Sequence, residues 1–356
     1  MPGLLLTTIE MIKPLDKGAM AEARSRQDML TKPRGSLGML EDLSVKIAGI
    51  CRCAAPSLGN KAIVVMAADH GVVAEGVSAY PQEVTRQMVA NFLNGCAAIN
   101  VLARHTGVRL VVVDMGVIGG FEAHPSLVCK MIDFGTKNIA RGPAMSREQA
   151  LDTLEAGIAV VEAQISQGLD IVGTGDMGIG NTTSASAVGA AITGLSAAEL
   201  TGTGTGISEE RLSHKVRIVN QALETNQPSH DDAIDILAKV GGFEIGGLAG
   251  VILAAAANHI PVVIDGFISG AAALIAVKLA PLTREYLIAS HLSAEPGHLL
   301  MLDYMRLTPL LNLKMRLGEG TGAALGISLA EASVKILKEM LTFGEADVSD
   351  KSREGG

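Results

Sequence analysis

Five short apolar runs, each ending on glycine or a polar residue, constrain this chain more than any other feature of its sequence. They include Ala62 to Met66 before Ala67-Ala68-Asp69-His70-Gly71, Leu110 to Val113 before Asp114-Met115-Gly116, and Ile171-Val172 before Gly173-Thr174-Gly175-Asp176. Pro261 to Ile264 before Asp265-Gly266 and Tyr286 to Ser290 before His291 complete the set. Runs of this length, rich in Val and Ile, read as strands buried on both faces. Helical patterns over Val84 to Ala103, Arg147 to Gln167 and Ser208 to Thr225 separate them. The alternation predicts an α/β fold with a parallel sheet flanked by helices. Ligands of such sheets sit beyond the carboxyl ends of the strands. Asp69, His70, Asp114, Asp176, Asp265 and His291 therefore fall at the expected edge of a site, although strand-end polar residues also cap helices and fix loops.

The two chain ends read differently. Met20 to Leu30, Leu40 to Cys51 and the stretch from Gly322 onward are helical in pattern with no strand between them, and Glu345 to Gly356 is polar and reads as frayed. Helical ends of this kind can pack together as a small second domain. Ile245 to Ile264 carries no charge and is nearly long enough to span a bilayer, but Asn258, His259 and Pro261 interrupt it, and a buried helix followed by a buried strand explains it better. Met1-Pro-Gly-Leu-Leu-Leu lacks the basic start of a signal peptide. A net charge of −8 argues against a general nucleic-acid binder. The cysteines Cys51, Cys53, Cys96 and Cys129 have no metal-ligand or redox spacing and read as reduced thiols of a cytosolic protein. With aromatics at 3% and no Trp, the core must be built from Ala, Val, Ile, Leu and Met.

Three glycine-rich segments carry the chemistry. Gly173 to Gly180, continued by Asn181-Thr182-Thr183, opens a small-residue helix from Ser184 to Thr193; its N–H groups and helix dipole suit a phosphate. Its Gly173-x-Gly175-x-x-Gly178 pattern also spells a dinucleotide fingerprint, but no strand-ending acid follows at the required spacing. Gly202-Thr-Gly204-Thr-Gly206, with Lys215 beyond it, suits a phosphate or carboxylate, or is an exposed loop beside an ordinary lysine. In Met315-Arg316-Leu317-Gly318-Glu319-Gly320-Thr321-Gly322, a Glu uncrowded by neighbours projects into a cleft as a base, or caps the following helix. An apolar wall such as Leu317 raises its basicity, while the helix start just after it favours the ionised form. No Gly-x-Ser-x-Gly elbow supports Ser293 as a nucleophile.

Taken together and in order, these stretches resemble the nicotinate-nucleotide–dimethylbenzimidazole phosphoribosyltransferases of cobalamin lower-ligand assembly, from about Lys32 to about Leu341. Lys32 to Gly38, Ala67 to Gly71, Gly178 to Thr183, Val240 to Glu244, Asp265 to Phe267, Ser290-His291 and Met315 to Gly322 carry the likeness. The resemblance implies Glu319 as general base and Asp176 as a second carboxylate, where the family has Glu. It implies that Gly178, Gly180, Asn181, Gly204, Lys215, Ser293 and Gly320 hold phosphate and substrate, and that Tyr80, Met177 and Leu317 wall the base pocket. It further implies a Rossmann-like sheet (residues 60–300), a small helical domain made from 1–59 with 301–356, a cytoplasmic homodimer, and no metal or redox cofactor. The substrates would be nicotinate mononucleotide and a benzimidazole-type base, with no nucleic-acid or membrane partner. The alternatives are a phosphoribosyltransferase for another base, a non-catalytic binder of benzimidazoles or their ribosides, and a Rossmann-like dehydrogenase or nucleotide hydrolase.

Overall fold

The computed structural model describes residues 3–204, 206 and 208–349. The chain opens with helices α1 (Leu4–Met11), α2 (Lys17–Met29) and α3 (Met39–Cys51). Strand β1 (Lys61–Ala68), helices α4 (Val84–Leu93) and α5 (Ala98–Thr106), and strands β2 (Arg109–Gly116) and β3 (Leu127–Cys129) follow. Next come α6 (Arg147–Ile165), β4 (Ile171–Met177), α7 (Asn181–Thr193), α8 (Ala197–Leu200), α9 (Glu209–Asn226), α10 (Ala233–Val240) and α11 (Phe243–Ala257). The last elements are β5 (Val262–Ile264), α12 (Phe267–Leu279), β6 (Leu287–Ala289), α13 (Pro296–Met305) and α14 (Thr321–Glu339).

The sheet runs β3-β2-β1-β4-β5-β6, and every pairing is parallel. The order reverses direction between β1 and β4, as in a Rossmann fold. Alternation along β1 divides the interior: Ala62, Val64, Met66 and Ala68 enter one core, Ile63, Val65 and Ala67 the other. The first core is closed by α6, α7 and α10 to α12, the second by α3, α4, α5 and α14. Every residue of α11 is buried, which accounts for the uncharged stretch before β5. No helix among the described residues is long and apolar enough to cross a membrane. Helices α6 and α11 touch backbone to backbone: a Cβ at Gly157 would lie 1.9 Å from the Gly247 carbonyl oxygen, and one at Gly250 2.1 Å from that of Leu154.

The chain ends meet around Ala23, Val45, Ala48 and Leu337, where Arg26 Nε donates to the Leu337 carbonyl at 2.7 Å. Helix α14 also floors the sheet through Ala323, Ala324, Ile327, Ala330 and Val334, and α1 lies elsewhere, its Leu5 N–H reaching Glu155 at 3.3 Å. Residues 350–356 of the expected frayed tail lie outside the described residues.

Three expectations are corrected. Val84 to Ala103 forms two helices because Gly95 turns the chain at φ 74°. Strand β3, only three residues long and partly exposed, was not anticipated. The glycines Gly173 and Gly175 belong to β4 rather than to a loop after it. A Cβ at Gly175 would stand 2.6 Å from the Glu319 carbonyl oxygen, so the bare strand lets the Gly318-Glu319-Gly320 turn rest on it.

Candidate active site

A cavity of about 310 Å³ opens at the carboxyl ends of β4, β5 and β6, to one side of the β1–β4 reversal point. Of the residues singled out in the sequence, Tyr80, Asp176, Met177, Gly178, Asn181, Gly204, Ser293 and Leu317 line it. Gly180, Lys215, Glu319 and Gly320 do not, and Thr205 of the second glycine-rich loop lies outside the described residues.

The cavity suits an anion at one end. The first residues of α7 (Asn181, Thr182) and of α12 (Phe267, Ile268) face it, and helix starts present free N–H groups and positive potential. Arg316, which the sequence reading passed over, lines the same wall and donates from Nη1 to the Gly204 carbonyl at 3.0 Å. Gly204 N–H is held in turn by Glu295 at 2.8 Å. Lys215 is fully buried one layer behind, donating from Nζ to Thr182 Oγ1 at 2.7 Å and to the Gly202 carbonyl at 3.3 Å. Burial drops its pKa to about 8, against a smaller upward pull from Glu295. His291 also lines the cavity, and its Nδ1 has no protein partner. Ser293 N–H donates to Nδ1 of His298, whose pKa burial lowers to about 3, so that ring is neutral at physiological pH.

The other end is acidic. Asp176 accepts from Asn181 Nδ2 at 3.0 Å through Oδ2, while its Oδ1 has no partner. Burial first, then Asp265 and Glu244, hold its pKa well above the carboxylate range, against the Asn181 bond. Glu319 follows on, its N–H donating to the Asp176 carbonyl at 3.2 Å. It is the middle of three left-handed residues, with φ of 82° at Gly318, 62° at Glu319 and 91° at Gly320. Its side chain is 5% exposed, and Oε2 has no protein partner. Burial raises its pKa, Asp265 adds to the rise, and the N–H of Ile99 opposes it. The backbone N–H that opposes the rise thus comes from the start of α5. The α14 start is occupied by Asp265, whose Oδ2 accepts from Gly320 N–H at 3.1 Å and whose Oδ1 accepts from Gly322 and Ala323 N–H at 2.7 and 3.0 Å.

Below the site, His70 bridges Ser184 at 3.1 Å and Glu244 at 2.7 Å, all three fully buried. This Ser-His-Glu relay has no access to a substrate and braces β1 against α7 and α11. Among the described residues no group of three or more His, Cys, Asp or Glu is arranged to hold a metal ion.

A family model described as phosphoribosyltransferase matches residues 12–348. The chain is 59% identical to a nicotinate-nucleotide–dimethylbenzimidazole phosphoribosyltransferase of Roseiflexus sp. (strain RS-1), over 98% of this chain and 99% of the relative. It is 54% identical to the enzyme of that name from Geobacter metallireducens, over 99% of each chain. The crystal structure of the Thermus thermophilus enzyme of that name superposes with a TM-score of 0.90 at 46% identity, covering 94% of this chain and all of the other. A parallel sheet of Rossmann order, an anion-suited crevice beside paired buried carboxylates, and full-length likeness to these proteins agree: the chain belongs to the nicotinate-nucleotide–dimethylbenzimidazole phosphoribosyltransferase family.

Proposed function

We propose that the protein transfers the phosphoribosyl group of nicotinate mononucleotide to 5,6-dimethylbenzimidazole, giving α-ribazole 5′-phosphate and nicotinate for the lower ligand of cobalamin. The observation that carries this reading is the contiguity of the anion-suited wall with Asp176 and Glu319, two buried carboxylates each keeping one oxygen unpartnered. The phosphate sits against the α7 and α12 starts, Arg316 and Ser293, with Lys215 charging the wall from behind Thr182. Gly178, Asn181 and Gly204 shape that wall, Gly180 caps α7, and Tyr80, Met177 and Leu317 flank the acceptor ring.

The bond from C1′ to the pyridinium nitrogen breaks and its electron pair stays with nicotinate, which leaves as a neutral ring. One azole nitrogen bonds to C1′ from the opposite face, converting the β to the α configuration. The proton on the other azole nitrogen passes to Glu319, and Gly320 completes the turn that carries the base. Raised basicity suits Glu319 to accept it. Asp176, which burial disposes to hold a proton, donates a hydrogen bond or orients the acceptor. Holding both reactants in line supplies most of the rate gain. Glu319→Ala is expected to lower turnover by about 10²–10⁴-fold; near wild-type release of nicotinate would remove it from the base role.

The reading includes a cytoplasmic homodimer. Tyr80 and Leu317 of the cavity wall are 53% and 58% exposed, an apolar rim suited to a second subunit. The four free cysteines suit a reducing compartment. Light scattering on the purified chain gives the subunit count.

A further inference from the structure

We infer that Asp265 is a positioning residue for Glu319: it occupies the start of α14 with its own charge, fixing the Gly318-Glu319-Gly320 turn and keeping the helix from acidifying the base. The inference rests on Glu319 being the base.

Glu319 is held at φ 62°, a conformation that a residue with a side chain adopts under constraint. The constraint is visible. Asp265 receives the N–H groups of Gly320, Gly322 and Ala323, the residues that follow the base. Asp265 is itself fully buried and anchored at the end of β5: its N–H donates to Thr174 Oγ1, and its carbonyl accepts from Ser290 Oγ, both at 3.2 Å. Burial raises the Asp265 pKa, while His291 and the three N–H donors favour its ionised form. A helix start carries roughly half a positive charge, and α14 begins two residues after Glu319. With that start taken by Asp265, the backbone donor that lowers the Glu319 pKa is the N–H of Ile99 from α5.

The charged and titratable groups around the pair are few. Asp176 faces it from β4, and Glu244 of α11, paired with His70, lies behind Asp176. His291, after β6, places Nε2 3.8 Å from Asp265 Oδ1. The first turns of α12 (Phe267-Ile268-Ser269-Gly270) and α14 (Thr321-Gly322-Ala323-Ala324) are neutral. No Lys or Arg among the described residues pairs with Asp265 or Glu319, so Asp265 adds to burial in raising the Glu319 pKa.

The test is the pH profile of kcat/KM for nicotinate mononucleotide and 5,6-dimethylbenzimidazole with the full chain. Asp265→Asn should lower kcat about tenfold to a hundredfold. It should leave KM for the nucleotide within about twofold and move the acid limb to lower pH by about half a unit or more, because an unopposed helix start and a lost anion both favour ionised Glu319. In a Glu319→Gln background the same change should cost little more. An unmoved limb, or an equal further loss in that background, overturns the inference. Asp265→Glu keeps the charge and decides the matter if the Asn variant does not fold: its kcat should fall while the limb stays in place, and wild-type kcat overturns the positioning role. If Glu319→Ala retains turnover, the base assignment fails whatever Asp265 does; if Glu319→Ala is inactive and Asp265→Asn has a wild-type profile, only this inference fails.

Discussion

Helices α7 and α14 begin alike. Each follows a glycine-rich segment next to a buried carboxylate and takes a left-handed glycine as its N-cap, Gly180 at φ 92° and Gly320 at φ 91°. Neither glycine can offer a side chain to the free N–H groups of the first turn. At α7 the first residues face the cavity, leaving the positive end to a guest anion. At α14 the protein supplies the anion itself, Asp265. The same local grammar serves binding in one place and the carriage of a base in the other. What separates them is a residue far away in the chain.

Removing the internal anion should break this contrast most severely. Asp265→Ala leaves three buried N–H groups without an acceptor, at about 1–3 kcal/mol each. We expect a stability loss of about 3 kcal/mol or more, read as a lower urea midpoint with an unchanged slope.

Substituting the two cap glycines separates their uses. A Cβ at Gly180 would lie 2.7 Å from Val73 Cγ2, and one at Gly320 2.8 Å from Ile63 Cγ2, both in a left-handed backbone. Each Ala variant should lose about 1–2 kcal/mol. Gly180→Ala should act mainly on KM for nicotinate mononucleotide and Gly320→Ala mainly on kcat. A uniform effect on both constants in both variants would erase the distinction.

Lys215 sharpens the binding side. Its ammonium, with a pKa of about 8, should lose its pull on the phosphate as pH rises beyond that value. KM for the nucleotide should then climb up to about tenfold between pH 7 and 9 in the wild type and stay flat in Lys215→Met. The sign for stability runs the other way. The folded value lies below the roughly 10.4 of an exposed lysine, so between the two the unfolded chain holds the extra proton. This group's contribution therefore becomes more favourable as pH rises through that window. Urea melts at pH 7.5 and 9.5 should show this slope in the wild type and lose it in Lys215→Met.

The smallest effect comes from a helix capped in the ordinary way. Ser146 accepts from Gln149 N–H at 3.1 Å at the start of α6, in a reciprocal capping box. Ser146→Ala should cost about 0.5–2 kcal/mol and leave kcat/KM unchanged.

The strands were legible because Val- and Ile-rich runs with no polar alternation have few other uses. Strand β3 has too few residues to show a pattern, and its pairing is set by β2. The break between α4 and α5 was hidden by apolar spacing that runs through both, although Gly95 marks it. Glu319 and Asp176 stood out through their glycine neighbours. Arg316, inside the same segment, did not, because one arginine beside glycines has no signature until Gly204 is folded against it. The hold of Asp265 on α14 joins residues 55 to 58 positions apart and rests on backbone N–H groups, which every sequence has. That is why the helix start following Glu319 was expected to bear on it directly.

The backbone contact between α6 and α11 bears on how this family can vary. Neither helix contributes a residue to the cavity. Yet Gly157 and Gly250 admit no side chain, since even a methyl group would meet backbone oxygens at 1.9 and 2.1 Å. A saturation screen scored on growth would therefore find these positions as intolerant as Glu319, for a reason unrelated to chemistry. Ranking residues by invariance would mix the two kinds. A melting assay run beside the activity assay would part them, because the glycine variants would fail in the first and Glu319→Gln only in the second.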